Sequence, residues 1–265
     1  MNSHWHRVIG RVSFVNCDPL YHNLDDEWKV LPAPPAWLTG HLLRKDCLTA
    51  PIPAADFGDN ADQLILLPGL GIASEGEVGS VILFGNRDPT MMRDVAMPSD
   101  SSTSQRLLMW LLEKMGCEPR PVEMGPDLSE MLNRCDGALL IGDRALDEAA
   151  RHPELIRMDL GKSWREQTGL PMVFGVFAAH RDAPLQAVRK AHEMLLGQAR
   201  KFREDPIRRK EVLESTSARS GFSIDRLDRY FGEVIHELDE TAMQGLELFL
   251  QEVCGTKSWE ELLSN

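Results

Sequence analysis

The sequence predicts an α/β protein of two lobes with a ligand cleft between them, and three observations predict it. Strand-like and helix-like stretches alternate from Arg7 to Ala178, the pattern of layered α/β folds. Two crossings, near residues 86–92 and 169–176, interrupt that alternation, and beyond Ala178 the chain reads as almost entirely helical. A chain that crosses twice leaves one lobe, builds a second and returns. The expected division is therefore 1–88 for the first part of lobe 1, 89–175 for lobe 2, and 176–265 for the mostly helical remainder of lobe 1. In such folds ligands sit beyond the carboxyl ends of strands, so polar residues at strand ends are the site candidates.

Taken in order, Arg7–Asn16 reads as a strand closed by a polar residue before the Asp18-Pro19 turn. Tyr21–Leu24 begins a short helix, Leu31–Pro35 is a proline-rich connection, Ala36–Lys45 has helical apolar spacing and Cys47–Ile52 reads as a short buried strand. Asp62–Ser74 reads as two short strands broken at Pro68-Gly69, followed by a strand over Gly79–Phe84. The second alternation runs strand to Met97, helix Thr103–Met115, strand Arg120–Glu123, helix Leu128–Arg134, strand Gly137–Ile141, helix Ala145–Arg151, strand Leu155–Asp159. Gly161–Thr168 fits a short helix stopped before Pro171, and Met172–Ala178 is a strongly apolar strand. Leu185–Glu204, Ile224–Leu238 and Glu240–Val253 have amphipathic spacing, and Lys201–Lys210 reads as a solvated helix boundary.

Composition narrows the function classes. The chain has 265 residues, 29 basic against 41 acidic, a net charge of −12. A broad face for nucleic acid or anionic lipid is not expected from that balance, whereas one pocket for a small anion is compatible with it. Five widely spaced cysteines without a CxxC pair point to free thiols rather than disulfides or zinc. No stretch has transmembrane length, and Met1–Arg7 lacks a signal-peptide core. The expectation is a cytoplasmic protein. His4 and His6 read as solvated, and no histidine spacing supports a metal.

The candidate that organises the rest is Met97–Ser104 before the apolar run Leu107–Leu112. A strand, a hydroxyl cluster and a helix in that order place Ser101, Thr103 and Ser104 at a helix N-terminus, where unpaired N–H groups attract anions. The same residues also read as an ordinary N-cap. Asn16 ends the first strand, either as a ligand to a carboxylate or hydroxyl or as a turn former. Ser74 and Ser80 flank a turn between apolar strands. Gly142 and Asp143 follow the buried strand Gly137–Ile141, and Asp143 reads equally as a helix cap and as a ligand-positioning acid. Gly69–Gly76 is glycine-rich but lacks the ending of a phosphate loop.

Five segments, in order along nearly the whole chain, resemble a known family. They are Gly10–Pro19, Leu66–Val81, Ser101–Ser104, Ala138–Leu146 and Asp159–Phe174, and they are similar to the chorismate dehydratases of the futalosine route to menaquinone. The resemblance implies a fold like the type II periplasmic binding proteins and a lyase that dehydrates chorismate, a small dianion, to 3-[(1-carboxyvinyl)oxy]benzoate. No cofactor is implied. Carried over by motif, Asn16 matches the asparagine that ends the first strand, and Ser101, Thr103 and Ser104 match the hydroxyl-bearing helix start. Ser80 and Asp143 match family motif positions. Ile52-Pro53-Ala54-Ala55 departs from the pattern, where relatives carry a hydroxyl. The proton acceptor is either Asp143 or a carboxylate of the substrate itself. The competing expectation is a non-catalytic small-anion solute-binding protein of the same fold.

Overall fold

A computed structural model describes residues 5–256 of the chain; His4 lies outside them. Two sheets carry the fold. The chain begins with β1 (Val8–Val12), a 3-10 turn at Val15–Cys17 and α1 (Asp18–Tyr21), then β2 (Lys29–Ala33), α2 (Pro35–Leu43), β3 (Thr49–Pro53) and α3 (Ala54–Asp59). A long β4 (Leu64–Ser74) leads to β5 (Val81–Gly85). The middle of the chain contributes β6 (Asp94–Met97), α4 (Ser102–Lys114), β7 (Arg120–Glu123), α5 (Leu128–Arg134), β8 (Gly137–Ile141), α6 (Gly142–Arg151), β9 (Ile156–Asp159) and α7 (Leu160–Thr168). The return strand β10 (Met172–His180) is followed by α8 (Leu185–Glu204), α9 (Pro206–Ser220), α10 (Ile224–Glu233), β11 (Ile235–Glu237) and α11 (Glu240–Glu252).

The first sheet has the order β11-β4-β10-β3-β1-β2 and the second β7-β6-β8-β5-β9. Strand β10 enters the middle of the first sheet antiparallel to both neighbours, while β1 runs parallel to β2 and β3. Every residue of β10 from Met172 to Ala179 is buried, which is why this segment reads as a continuous apolar run instead of an alternation. In the second sheet β5 alternates its faces. Val81 and Leu83 join the main core, and Ile82 and Phe84 pack with Ala138 and Leu140 on the other side.

The structure changes the expected layout in five places. Strand β5 pairs with β8 and β9, so residues 81–85 belong to the second sheet and the first crossing lies between Ser74 and Val81, ahead of residue 88. The proline-rich Leu31–Pro35 stretch is largely β2, where Pro32 is tolerated because β2 is an edge strand. Strand β4 is continuous across Pro68-Gly69. Register moves from Gly71 opposite Val176 to Leu66 opposite Ala178, so Leu67–Leu70 form a bulge that absorbs the proline and Gly69 at φ +71°. Helix α10 stops at Glu233, and Ile235 and Glu237 pair with Ala73 and Leu70 of β4. Helix α9 fills the stretch read as a boundary, with Pro206 in its first turn and the Asp205 carboxylate accepting from the Ile207 and Arg208 amides. Among the described residues no helix is long and apolar enough to cross a membrane.

Candidate active site at the cleft between the lobes

A cleft containing about 540 Å³ of empty space, part of it open solvent, lies where the two sheets face each other. Its walls are built from strand ends and helix starts: Phe14 and Asn16 beyond β1, Pro51–Pro53 at the end of β3, Ser80 in the first crossing, Ser101 and Ser104 at the start of α4, Ile141 and Gly142 at the start of α6, and Phe174 and Gly175 on β10. Of the residues expected at the site, Asn16, Ser80, Ser101, Ser104 and Gly142 therefore converge on one cavity.

Ser101 is the N-cap of the 13-residue helix α4. Its Oγ accepts from the Ser104 amide at 3.3 Å and shares a 3.0 Å hydrogen bond with the Ser104 hydroxyl. Ser101 and Ser104 therefore bring hydroxyls to the cavity at a helix start that favours anions, while Ser102 and Thr103, whose first-turn amides have no intrahelical acceptor, are not among its lining residues. Asn16 is 8% exposed, and its Oδ1 is buried without a protein partner. A buried, unsatisfied side-chain acceptor is costly, and Asn16 lies in the wall of the cavity. The Asn16 carbonyl is held separately, accepting from His236 Nε2 at 2.6 Å. Burial lowers the His236 pKa to about 4, so the ring is neutral and the proton on Nε2 faces that carbonyl. Ser80 is oriented from two sides: its carbonyl accepts from the Gly142 amide at 2.7 Å, and its Oγ accepts from the Tyr230 hydroxyl at 3.0 Å. Gly142 has φ +62°, and a Cβ there would lie 2.6 Å from the Phe14 ring.

Three expected residues do not line the cavity. The Thr103 hydroxyl is fully buried and accepts from the Ala55 amide at 3.0 Å; it ties α4 to the start of α3. Ser74 donates to the Gly76 carbonyl, and its Oγ would lie 2.5 Å from a Cβ at Gly161. It belongs to the packing of the first crossing against α7. The Asp143 carboxylate accepts from the Val15 amide at 2.9 Å, and burial raises its pKa. It holds α6 against the loop that carries Phe14 and Asn16.

Among the described residues, none of those lining the cavity has an ionisable side chain. Charge is kept behind the walls. Asp18 lies between Arg11 and Arg219, the latter at 2.8 Å, and anchors the Asn16 loop to α9. Asp159 accepts from the Val78, Gly79 and Lys162 amides, joining the first crossing to the start of α7. Sequence reasoning missed Phe14, Phe174, Tyr230 and His236. The two aromatic walls sit beside polar strand ends and were discoverable on that ground. Tyr230 and His236 reach the site only through the return of the C-terminal helices, which no local pattern reveals.

The comparisons agree with this architecture. Protein AF1704 from Archaeoglobus fulgidus superposes with a TM-score of 0.77 at 18% identity, over 96% of this chain and 99% of that one. The alkanesulfonate-binding protein SsuA from Xanthomonas axonopodis pv. citri, bound to MOPS, gives 0.65 at 14% identity over 93% of each chain. The Candida albicans CA3427 gene product, described as having the generic periplasmic binding protein fold, gives 0.67 at 11% identity over 97% of this chain and 92% of that one. These likenesses establish the two-lobed binding-protein fold. A relative named chorismate dehydratase, from Thermus thermophilus, is 32% identical over 265 aligned residues, covering 92% of this chain and 94% of its own. A family model described as menaquinone biosynthesis matches residues 8–253, and the chain belongs to that family.

Proposed function

We propose that this chain dehydrates chorismate to 3-[(1-carboxyvinyl)oxy]benzoate, as a step of menaquinone biosynthesis by the futalosine route. The observation that carries the mechanism is the composition of the cleft: hydroxyls of Ser80, Ser101 and Ser104, the Asn16 amide and, among the described residues, no ionisable side chain. Kinship with the Thermus thermophilus chorismate dehydratase over nearly the whole chain supplies the substrate.

The chemistry fits such walls. Chorismate becomes aromatic once the proton on the ether-bearing ring carbon and the neighbouring hydroxyl have left, so the enzyme chiefly has to orient and polarise. The Ser101 and Ser104 hydroxyls at the start of α4 suit one carboxylate, and the Asn16 amide suits the ring hydroxyl. Asp143 is set behind the wall, with its carboxylate engaged by the Val15 amide. A carboxylate of the substrate then takes the ring proton. The carbon–hydrogen electron pair passes into the ring as the bond to the ring hydroxyl breaks, and the leaving hydroxide takes that same proton from the carboxyl and departs as water. Negative charge developing on the conjugated ring carboxylate is met by fixed N–H and O–H groups, a form of electrostatic catalysis.

Purified protein incubated with chorismate is expected to give an aromatic product lighter by one water, followed by mass and absorbance. Ser101→Ala and Asn16→Ala should each reduce kcat about 100-fold, the scale of losing one fixed polar contact in such a site. The fold of SsuA favours one alternative, a solute-binding protein; chorismate that raises the Tm and is recovered unchanged would establish it.

A further inference from the structure

Tyr230 lies 150 residues from Ser80 in the sequence, on α10, and its hydroxyl donates to Ser80 Oγ at 3.0 Å. Both groups are buried, Tyr230 at 1% and Ser80 at 4% exposure. A serine hydroxyl has one hydrogen and two lone pairs. When Oγ accepts from the phenol, the serine hydrogen cannot point back at Tyr230, and among the described residues the Ser80 hydroxyl has no acceptor of its own. The remaining direction is the cleft that Ser80 lines.

We propose that Tyr230 is a positioning residue, which fixes the Ser80 hydroxyl as a donor toward an oxygen of the bound anion. The inference rests on the chorismate reading above. Two physical effects give the contact consequence. The hydroxyl rotor is settled before substrate arrives, and a hydroxyl that accepts one hydrogen bond becomes a stronger donor in the next. The phenol does not act as the proton source: burial raises its pKa well above the ordinary tyrosine value, so it remains a protonated donor throughout. Its site is rigid, since Leu227, Tyr230 and Phe231 form the buried face of α10, the Phe231 ring stacks edge-on with Phe202 at 5.3 Å and the Arg226 guanidinium lies over the Tyr230 ring.

The test is a double-mutant cycle on chorismate turnover, with kcat and KM read separately. Tyr230→Phe keeps the ring and removes the donor. It should lower kcat about tenfold, the scale of one hydrogen bond, with KM and Tm little changed. In a Ser80→Ala background the same substitution should change kcat less than about twofold, because the group through which Tyr230 acts is absent. A wild-type kcat in Tyr230→Phe overturns the proposal, as does an equal loss in both backgrounds, which would mark a purely structural effect. Wild-type protein that leaves chorismate unchanged overturns the proposed function and this inference together, so the two failures are distinguishable. A second measurement avoids the tyrosine variant altogether. The chain has two tyrosines, so labelling tyrosine Cζ gives two carbon resonances; the aromatic product should shift the Tyr230 signal in wild type and lose that effect in Ser80→Ala. A Tyr230 signal unmoved by saturating product overturns the proposal.

Discussion

Gly142 shows how tightly single residues set the cleft. Its backbone is in the left-handed region at φ +62°, and its missing side chain is the space taken by the Phe14 ring, 2.6 Å from where a Cβ would be. Gly142→Ala adds both a backbone penalty of about 1–2 kcal/mol and a collision between the lobes. It should lower the Tm and depress chorismate turnover, measured on the same preparation. The sequence placed Gly142 at a strand end but carried no sign of Phe14 as its partner, because the two are brought together only when the lobes meet. Asn16 was more legible: a polar residue ending an apolar strand before Asp-Pro is a visible departure from pattern. The sequence leaves open whether it is a ligand or a turn former; the partnerless Oδ1 and the place of Asn16 in the cavity wall support the first reading. Ser74, Thr103 and Asp143 have the right residue types near the right strand ends, and each is consumed by a protein hydrogen bond instead. Residue type does not encode which way a short side chain turns.

At the scale of elements, β11 is the least legible piece of the fold and one of the most consequential. Three residues, Ile235–Glu237, interrupt a helical pattern to pair with β4 and bring His236 under the Asn16 loop. A helical reading of this stretch was natural, since amphipathic spacing continues through it and three residues are too few to show a strand period. The neutral, buried His236 makes this element sensitive to acid. Its pKa is about 4 in the folded protein against an ordinary 6.5, so between those values the unfolded chain binds the extra proton. Stability therefore falls as pH drops through that window and is insensitive to this group above it. Two and a half pH units correspond to about 3 kcal/mol. Thermal melts from pH 7 to 4 should show this decline, and His236→Gln, which keeps a donor without titrating, should flatten it. Helices α4 and α6 were easier to read, because hydroxyls and glycine at their starts are strong local signals; α9 was missed where its charge-rich N-terminus hid the Asp205-Pro206 cap.

At the scale of the molecule, the two-lobed plan was legible because alternation and crossings are properties of the chain as a whole. The lobe boundary was less so: β5 is buried along its full length, and nothing in such a strand states which sheet it joins. The loop that leads into it is held by Asp159, whose carboxylate accepts from the Val78 and Gly79 amides ahead of β5 and from the Lys162 amide in α7. Asp159→Ala would leave those buried N–H groups unpaired and should cost about 2 kcal/mol of stability, read by urea unfolding. Around the cleft the lobes are joined by Thr103 to Ala55, Ser102 to Asp56, Arg106 to Asp59 and Asp143 to Val15. The proposed mechanism rests on a cavity whose described lining residues carry no charge, and it assigns the base to the substrate itself. Turnover of chorismate by wild type and Asp143→Asn, side by side, tests that account most directly. The asparagine oxygen can still accept from the Val15 amide, so the account predicts that both proteins release the aromatic product, with kcat of the variant within about tenfold of wild type. A folded Asp143→Asn that leaves chorismate untouched while wild type converts it would contradict the account and make Asp143 the base.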